Sequence, residues 1–322
     1  MDKRTRVFNA MDRKPVDHVP VGFWHHFPGE QATGESCVQA HIDYVRDFDP
    51  DLLKIMCDGY FAYPIPDAIR TAHDWRKLEP LGRDHPFIRD QVERARRLVQ
   101  ALGHEMPVFY NVFAPFSSLR FGAGEERVMA DLREDRLAVM HALDVIALDN
   151  ALLTEMLIRE AGCDGIYYCV QGGEYGRFTP AEYRAAIRPS DLYVLERANR
   201  CSGYNILHCC GWAGAKNQLE LWQDYPVKCV NWAVYVEGLS LADGRFFFGD
   251  RCCLGGFQSQ HHPGQTHDGL LHHGTEEEIK AFTRETILTF GKRGLILGAD
   301  CTVNEHIDHR RLRWVVEAAR SL

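Results

Sequence analysis

Apolar positions along the chain fall into two alternating patterns: short runs of β-branched, aromatic and aliphatic residues, and the three-and-four spacing of an amphipathic helix. Residues 3–14 predict a short helix with Val7, Ala10 and Met11 on one side. The segment PVDHVPVGFWHH then predicts a turn followed by a buried strand over 18–24. Helical spacing covers 36–48, breaks at Asp49-Pro50, and gives way to the apolar run LLKIMC, which ends at Asp58-Gly59. A helix over 88–102 precedes the strand PVFYNVF at 107–113, which stops at Ala114-Pro115. Residues 126–161 repeat apolar side chains at three and four and predict one long helix or two. GIYYCV (165–170) is the next strand, and Thr179 is placed to cap a helix starting at Pro180. Strands follow at about 204–209, 227–233 and 251–257. Thr275-Glu276-Glu277-Glu278 opens a helix with acidic residues at its positive end. GLILGAD (294–300) is the last strand, and 308–321 the last helix.

Strands alternating with helices imply a parallel sheet, and eight such units predict an α/β fold of the (β/α)8 TIM-barrel type. Residues 1–322 then form a single barrel domain with an N-terminal helical extension. An open doubly wound sheet is the alternative, weakened because no Gly-x-Gly-x-x-Gly follows the first strand. A chain that is 45% hydrophobic and 25% charged can bury a core of this size. The formal charge of −8 argues against a nucleic-acid or anionic-membrane partner, either of which calls for a basic face. The first twenty residues lack the apolar core of a signal peptide, and no run of 18 apolar residues occurs, so a cytoplasmic location is expected. Eleven cysteines, an odd number, point to thiols and metal ligation rather than a disulfide framework.

In a barrel, reactive groups gather where strands end. His208-Cys209-Cys210 ends one strand, and residues two apart in a strand point to the same side. His208 and Cys210 therefore share one space while Cys209 faces away. A third soft ligand is available in Cys301, at the end of LILGADC. One imidazole and two thiolates leave a fourth position open, the pattern of a catalytic zinc site. Asp58, Asn111, Gln171 and Glu174 stand at other strand ends. Either Gln171 or Glu174 can be an exchangeable fourth ligand or a partner for His208, and the bland alternative for the carboxylates Asp58 and Glu174 is a solvated loop charge or a helix cap. Trp24, Trp232 and other aromatics either pack the core or wall a pocket for a flat ring or a methylated ammonium. His25 and His26, just past the first strand, are candidates to face the substrate. The histidine-rich stretch from His261 to Asp268, continuing to His272-His273, reads as a lid-like loop, with a second metal site as the alternative.

The segments RVFNAMDRKPVDHVPV, KIMCDGYFAYP, NVFAPFSSL, GCDGIYYCVQGGEYGRFTPAEYRAAIRP, ILHCCG, LGGF with HGTEEEI, and ILGADC together resemble the uroporphyrinogen decarboxylase superfamily. That superfamily includes zinc methyltransferases that move methyl groups between corrinoid proteins and thiols such as coenzyme M. Its decarboxylases carry an arginine-rich early motif, where this chain reads VGFWHHFPGE, and a histidine near the last strand, where this chain has Cys301. The resemblance to the methyltransferase branch implies Zn2+ ligation by His208, Cys210 and Cys301, and places Asp58 at the superfamily's substrate-contacting acidic position. The expected function is therefore methyl transfer or demethylation through an activated small-molecule thiol, with a corrinoid protein or a small methylated compound as donor. Its rivals are a metal-independent decarboxylase-like lyase centred on Asp58, and a non-catalytic module that binds zinc or a corrinoid partner.

Overall fold

A computed structural model of the protein describes residues 1–212, 214–259 and 269–322, so His261, His262 and His267 of the histidine-rich stretch lie outside the described residues. Strands β1 (Leu53–Ile55), β2 (Val108–Phe113), β3 (Gly165–Val170), β4 (Ile206–Cys209), β5 (Cys229–Trp232), β6 (Cys252–Phe257) and β7 (Leu295–Ala299) form one parallel sheet in chain order. Nearly every strand residue is buried on both faces, as a sheet covered by helices requires.

The strand predicted over 18–24 contributes a single bridge, Val21 to Leu297, rather than a regular eighth strand. Its backbone still links the two outer strands: Gly22 N–H donates to Leu297 O at 2.9 Å, and Asp51 N–H, ahead of β1, donates to Val21 O at 2.8 Å. Regular pairing fails for a local reason. Pro20 has no N–H, and the Val21 N–H is taken by the Asp51 carboxylate at 2.8 Å.

The helices are α1 (Lys3–Met11), α2 (Gly34–Phe48), α3 (Pro86–Leu102), α4 (Pro115–Ala123), α5 (Glu125–Glu134), α6 (Arg136–Arg159), α7 (Pro180–Ala186), α8 (Arg188–Cys201), α9 (Val234–Glu237), α10 (Leu241–Phe247), α11 (Leu270–His273), α12 (Glu276–Phe290) and α13 (His309–Arg320). The periodic stretch 126–161 is two helices because Asp135 leaves helical geometry and its side chain caps α6 through Ala138 N–H at 3.2 Å. The apolar pattern does not predict helix α4, although Pro115 in its first turn is the residue that commonly starts a helix. Helix α6 is long and apolar enough to cross a membrane by composition, yet 67% of its most apolar window is buried within the protein.

The support behind β1 carries a pH signature. His41 on α2 is fully buried; its Nδ1–H donates to Cys37 O at 2.8 Å, and its Nε2 accepts the Met56 N–H at 3.1 Å. Only the neutral imidazole makes both bonds, and burial pushes its pKa down to about 4. In the unfolded chain the same ring protonates near 6.5, so the stability it contributes is complete above that pH and is lost as pH falls towards about 4. Denaturant titrations should show this slope, at most about 1.4 kcal/mol per pH unit. His41→Gln, which keeps an acceptor for Met56, should flatten it.

Candidate metal centre

Register between β4 and β5 sets His208 opposite Asn231 and Cys209 opposite Trp232. The first pair shares the interior of the sheet; the second faces the helices. Asn231 has a fixed orientation, because its Nδ2 donates to Leu254 O at 2.8 Å and to Ala299 O at 3.0 Å. Its Oδ1 must therefore accept, and it does so from the Tyr167 hydroxyl at 2.7 Å and from His208 Nδ1–H. The proton on His208 is thereby assigned to Nδ1, and the Nε2 lone pair is left free. This is the carbonyl–histidine arrangement by which proteins orient an imidazole ligand.

Cys210 follows β4 directly, with its N–H on Val170 O at 3.2 Å. Cys301 lies just beyond β7, where the buried Asp300 carboxylate accepts the Val234 N–H at 3.0 Å and the Tyr235 N–H at 3.4 Å, tying the end of β7 to the start of α9. The ligand atoms of His208, Cys210 and Cys301 all lie within 4.8 Å of one another. A tetrahedral zinc has ligand–ligand edges of about 3.5–3.8 Å, so the set is compact enough to converge on one ion. A hydrogen bond from the Cys210 thiol, supported by His208 and opposed by burial, holds Cys301 well below the usual thiol range. The same hydrogen bond, followed by burial, pushes Cys210 far up. Without a cation the two sulfurs share one proton; a dication favours releasing it. On donor chemistry, tautomer and spacing, the residues fit a zinc ion.

A cavity of ≈ 240 Å3 opens beside these ligands, walled by Phe61, Phe113, Phe121 and Trp212 and carrying His26, Lys54, Asn111 and Gln171 as polar groups. Gln171 Nε2 lies 3.6 Å from Cys210 Sγ, and its Oε1 accepts from Arg120. Arg120 is in turn held by Glu125 at 3.0 Å, and Glu125 by Arg177. Asn111 bridges two thiols, donating to Cys57 Sγ at 3.0 Å and accepting from Cys169 Sγ at 3.0 Å.

Four residues singled out in the sequence stand elsewhere. Glu174 is buried in an ion pair with Arg177 at 2.8 Å and belongs to neither the ligand cluster nor the cavity wall. Trp232 faces outward against Phe248, over Gly244, where an added Cβ would sit 2.1 Å from the ring. Trp24 is buried against Tyr167, behind the cavity. His25 is packed among Phe27, Tyr44 and His309, and its neighbour His26 lines the cavity instead. A fifth, Asp58, is buried one step back: Oδ1 takes His26 Nδ1 at 2.7 Å and Oδ2 accepts the Phe27 N–H at 2.7 Å.

Sequence reasoning missed Lys54, Asn231 and Arg120, while of the candidate pair His25-His26 it is His26 that lines the cavity. Lys54 is buried, with Nζ 3.9 Å above the Tyr167 ring and 4.7 Å above Trp24, and no carboxylate pairs with it among the described residues. A lysine inside the apolar run LLKIMC was itself the available signal.

The chain is similar in fold to a methyltransferase from Methanosarcina mazei, at 15% identity and TM-score 0.72, over 100% of this chain and 98% of that one. It is also similar to a B12-independent methionine synthase from Shewanella sp. W3-18-1 in complex with selenomethionine, at 11% identity and TM-score 0.59, over 94% and 97% of the two chains. A putative vitamin-B12-independent methionine synthase from Listeria monocytogenes follows at 13% identity and TM-score 0.53, over 88% and 85%. No protein of curated function matches the chain. Residues 62–322 match the family model described as uroporphyrinogen decarboxylase (URO-D), and the chain belongs to that family.

Proposed function

We propose that the protein is a zinc-dependent methyltransferase or demethylase in which a thiol accepts a methyl group from a corrinoid protein or a small methylated compound. The observation that carries this is the convergence of His208, Cys210 and Cys301, with Asn231 holding the proton of His208 on Nδ1. Zinc bound there would ionise a thiol near neutral pH and hold it towards an electrophilic methyl group. The two cysteine ligands lower the net charge of the site, so the acceptor sulfur stays nucleophilic. Gln171 draws charge from Cys210 and is held in place by Arg120.

The cavity narrows the substrate. Its aromatic walls suit a flat or apolar body and exclude water from the reacting atoms. Lys54 on the same wall repels a cation, which disfavours the methylated-ammonium donor and favours a neutral or anionic one. Trp212 and Phe121, 43% and 39% exposed, place apolar surface at the mouth where a donor would approach. We read the sheet as a (β/α)8 barrel in which the backbone near Val21 serves as the eighth strand.

Metal analysis tests the proposal. Protein purified without added metal should carry about one zinc per chain, and chelation should abolish methyl transfer from methylcobalamin or a small donor to a thiol, with zinc restoring it. A preparation that transfers methyl groups while essentially zinc-free would overturn it.

A further inference from the structure

His26 and Asp58 form a second chemical device in the same cavity. Asp58 is 3% exposed, and both of its oxygens are committed, one to the His26 ring and one to the Phe27 N–H. The backbone carrying it is clamped from behind: Arg94 donates to Met56 O at 2.8 Å and to Asp58 O at 2.9 Å. His41 fixes the Met56 N–H of the same segment. The carboxylate is therefore set rigidly in the cavity wall and holds the His26 ring through Nδ1.

His26 differs from its anchor in exposure. Its side chain is 40% exposed, it lines the cavity that holds the three ligands, and its Nε2 has no hydrogen-bond partner among the described residues. An imidazole with Nδ1 on a buried carboxylate and Nε2 open to a substrate pocket is the arrangement of a general base. A packing role accounts poorly for it, since the ring is half in solvent and its aromatic neighbour is Phe61, edge-on at 5.5 Å.

We infer that His26 is the catalytic base for the substrate thiol, with Asp58 as its positioning residue, an inference that rests on the zinc–thiol function proposed above. The S–H bond breaks, the proton passes to His26 Nε2, and the electron pair stays on sulfur as a thiolate, which an ion held by His208, Cys210 and Cys301 would stabilise. The imidazolium is balanced by the Asp58 carboxylate and returns its proton to water at the cavity mouth. Other charged or titratable groups on the cavity wall are Lys54, His208, Cys210, Cys169 and Cys301.

The test uses Co(II)-loaded protein and follows thiol ligation by its sulfur-to-cobalt charge-transfer band at about pH 7. The probes are 2-mercaptoethanol, which arrives protonated, and thiophenol, which arrives largely ionised. His26→Gln should slow ligation of 2-mercaptoethanol about a hundredfold while changing thiophenol less than about threefold. Imidazole in solution should recover part of the loss in His26→Gly. Equal slowing of both thiols, or slowing of neither, would overturn the assignment. If His26→Gln perturbs the cobalt spectrum before thiol is added, Asp58→Asn, which keeps an acceptor for Phe27, carries the same comparison: selective slowing of 2-mercaptoethanol supports the assignment, and equal or no slowing overturns it. Failure of the wild-type protein to take up Co(II) would instead remove the metal centre itself, a separate result read before any thiol is present.

Discussion

Cys301→Ser is expected to abolish metal retention and methyl transfer while leaving the fold in place. A serine hydroxyl is a harder donor that stays protonated where a zinc-bound thiol does not, so the ion would be left with His208 and Cys210 alone. After dialysis zinc content should drop from about one per chain to a small fraction, and turnover should fall by about a thousandfold or more, as expected when a metal that generates the nucleophile is lost. The fold should survive because Cys301 is only partly buried and its described side-chain bond to Thr302 is weak, at 3.9 Å. Cys209→Ala is the matched control. That thiol is fully buried on the opposite side of β4, so its loss should cost about 1–2 kcal/mol of stability and leave zinc content unchanged. Folded Cys301→Ser protein with undiminished turnover would remove zinc from the chemistry. Wild-type protein that binds zinc tightly and transfers nothing to any thiol would favour a non-catalytic module.

Strand parity makes the centre visible in the amino-acid sequence itself. It places His208 with Cys210 and against Cys209, because alternation along one strand is a local property of the backbone. Seven of the eight expected strands, and their sequential order in the sheet, follow from short apolar runs separated by helices. What stays hidden depends on relations between segments. The outward placement of Trp232 and the inward placement of Asn231 follow from the register of β5 on β4, which neither strand encodes alone. Of His25 and His26 only the second lines the cavity, because the chain leaves strand geometry there: Trp24 O is taken by Val303 N–H at 2.9 Å, beyond the last residue of β7. Glu174 looks reactive as a carboxylate at a strand end, but Arg177, three residues later, claims it. Buried ionisable side chains at strand ends are ambiguous until their partners are known.

Asn231→Leu is the second large expected effect, and it separates positioning from scaffolding. The asparagine amide serves four groups at once: it accepts from His208 and Tyr167, and donates to the carbonyls of Leu254 and Ala299. Leucine fits the volume but satisfies none of them, and Asn231 is fully buried, so water offers little replacement. Orphaning several buried polar groups should cost about 3–5 kcal/mol in a denaturant titration. Zinc affinity should fall about 10–100-fold besides, because nothing then holds the His208 proton on Nδ1 or fixes the ring plane. Tyr167→Phe isolates the two contributions. It removes one donor to the same oxygen and leaves the His208 bond intact, so it should lose about 1 kcal/mol of stability with zinc affinity unchanged within about threefold. Equal weakening of zinc by both substitutions would mean that the metal centre depends on packing around Tyr167 rather than on the tautomer held by Asn231. Weakening confined to Asn231→Leu would place the control of His208 in the Asn231 amide rather than in the Tyr167 hydroxyl.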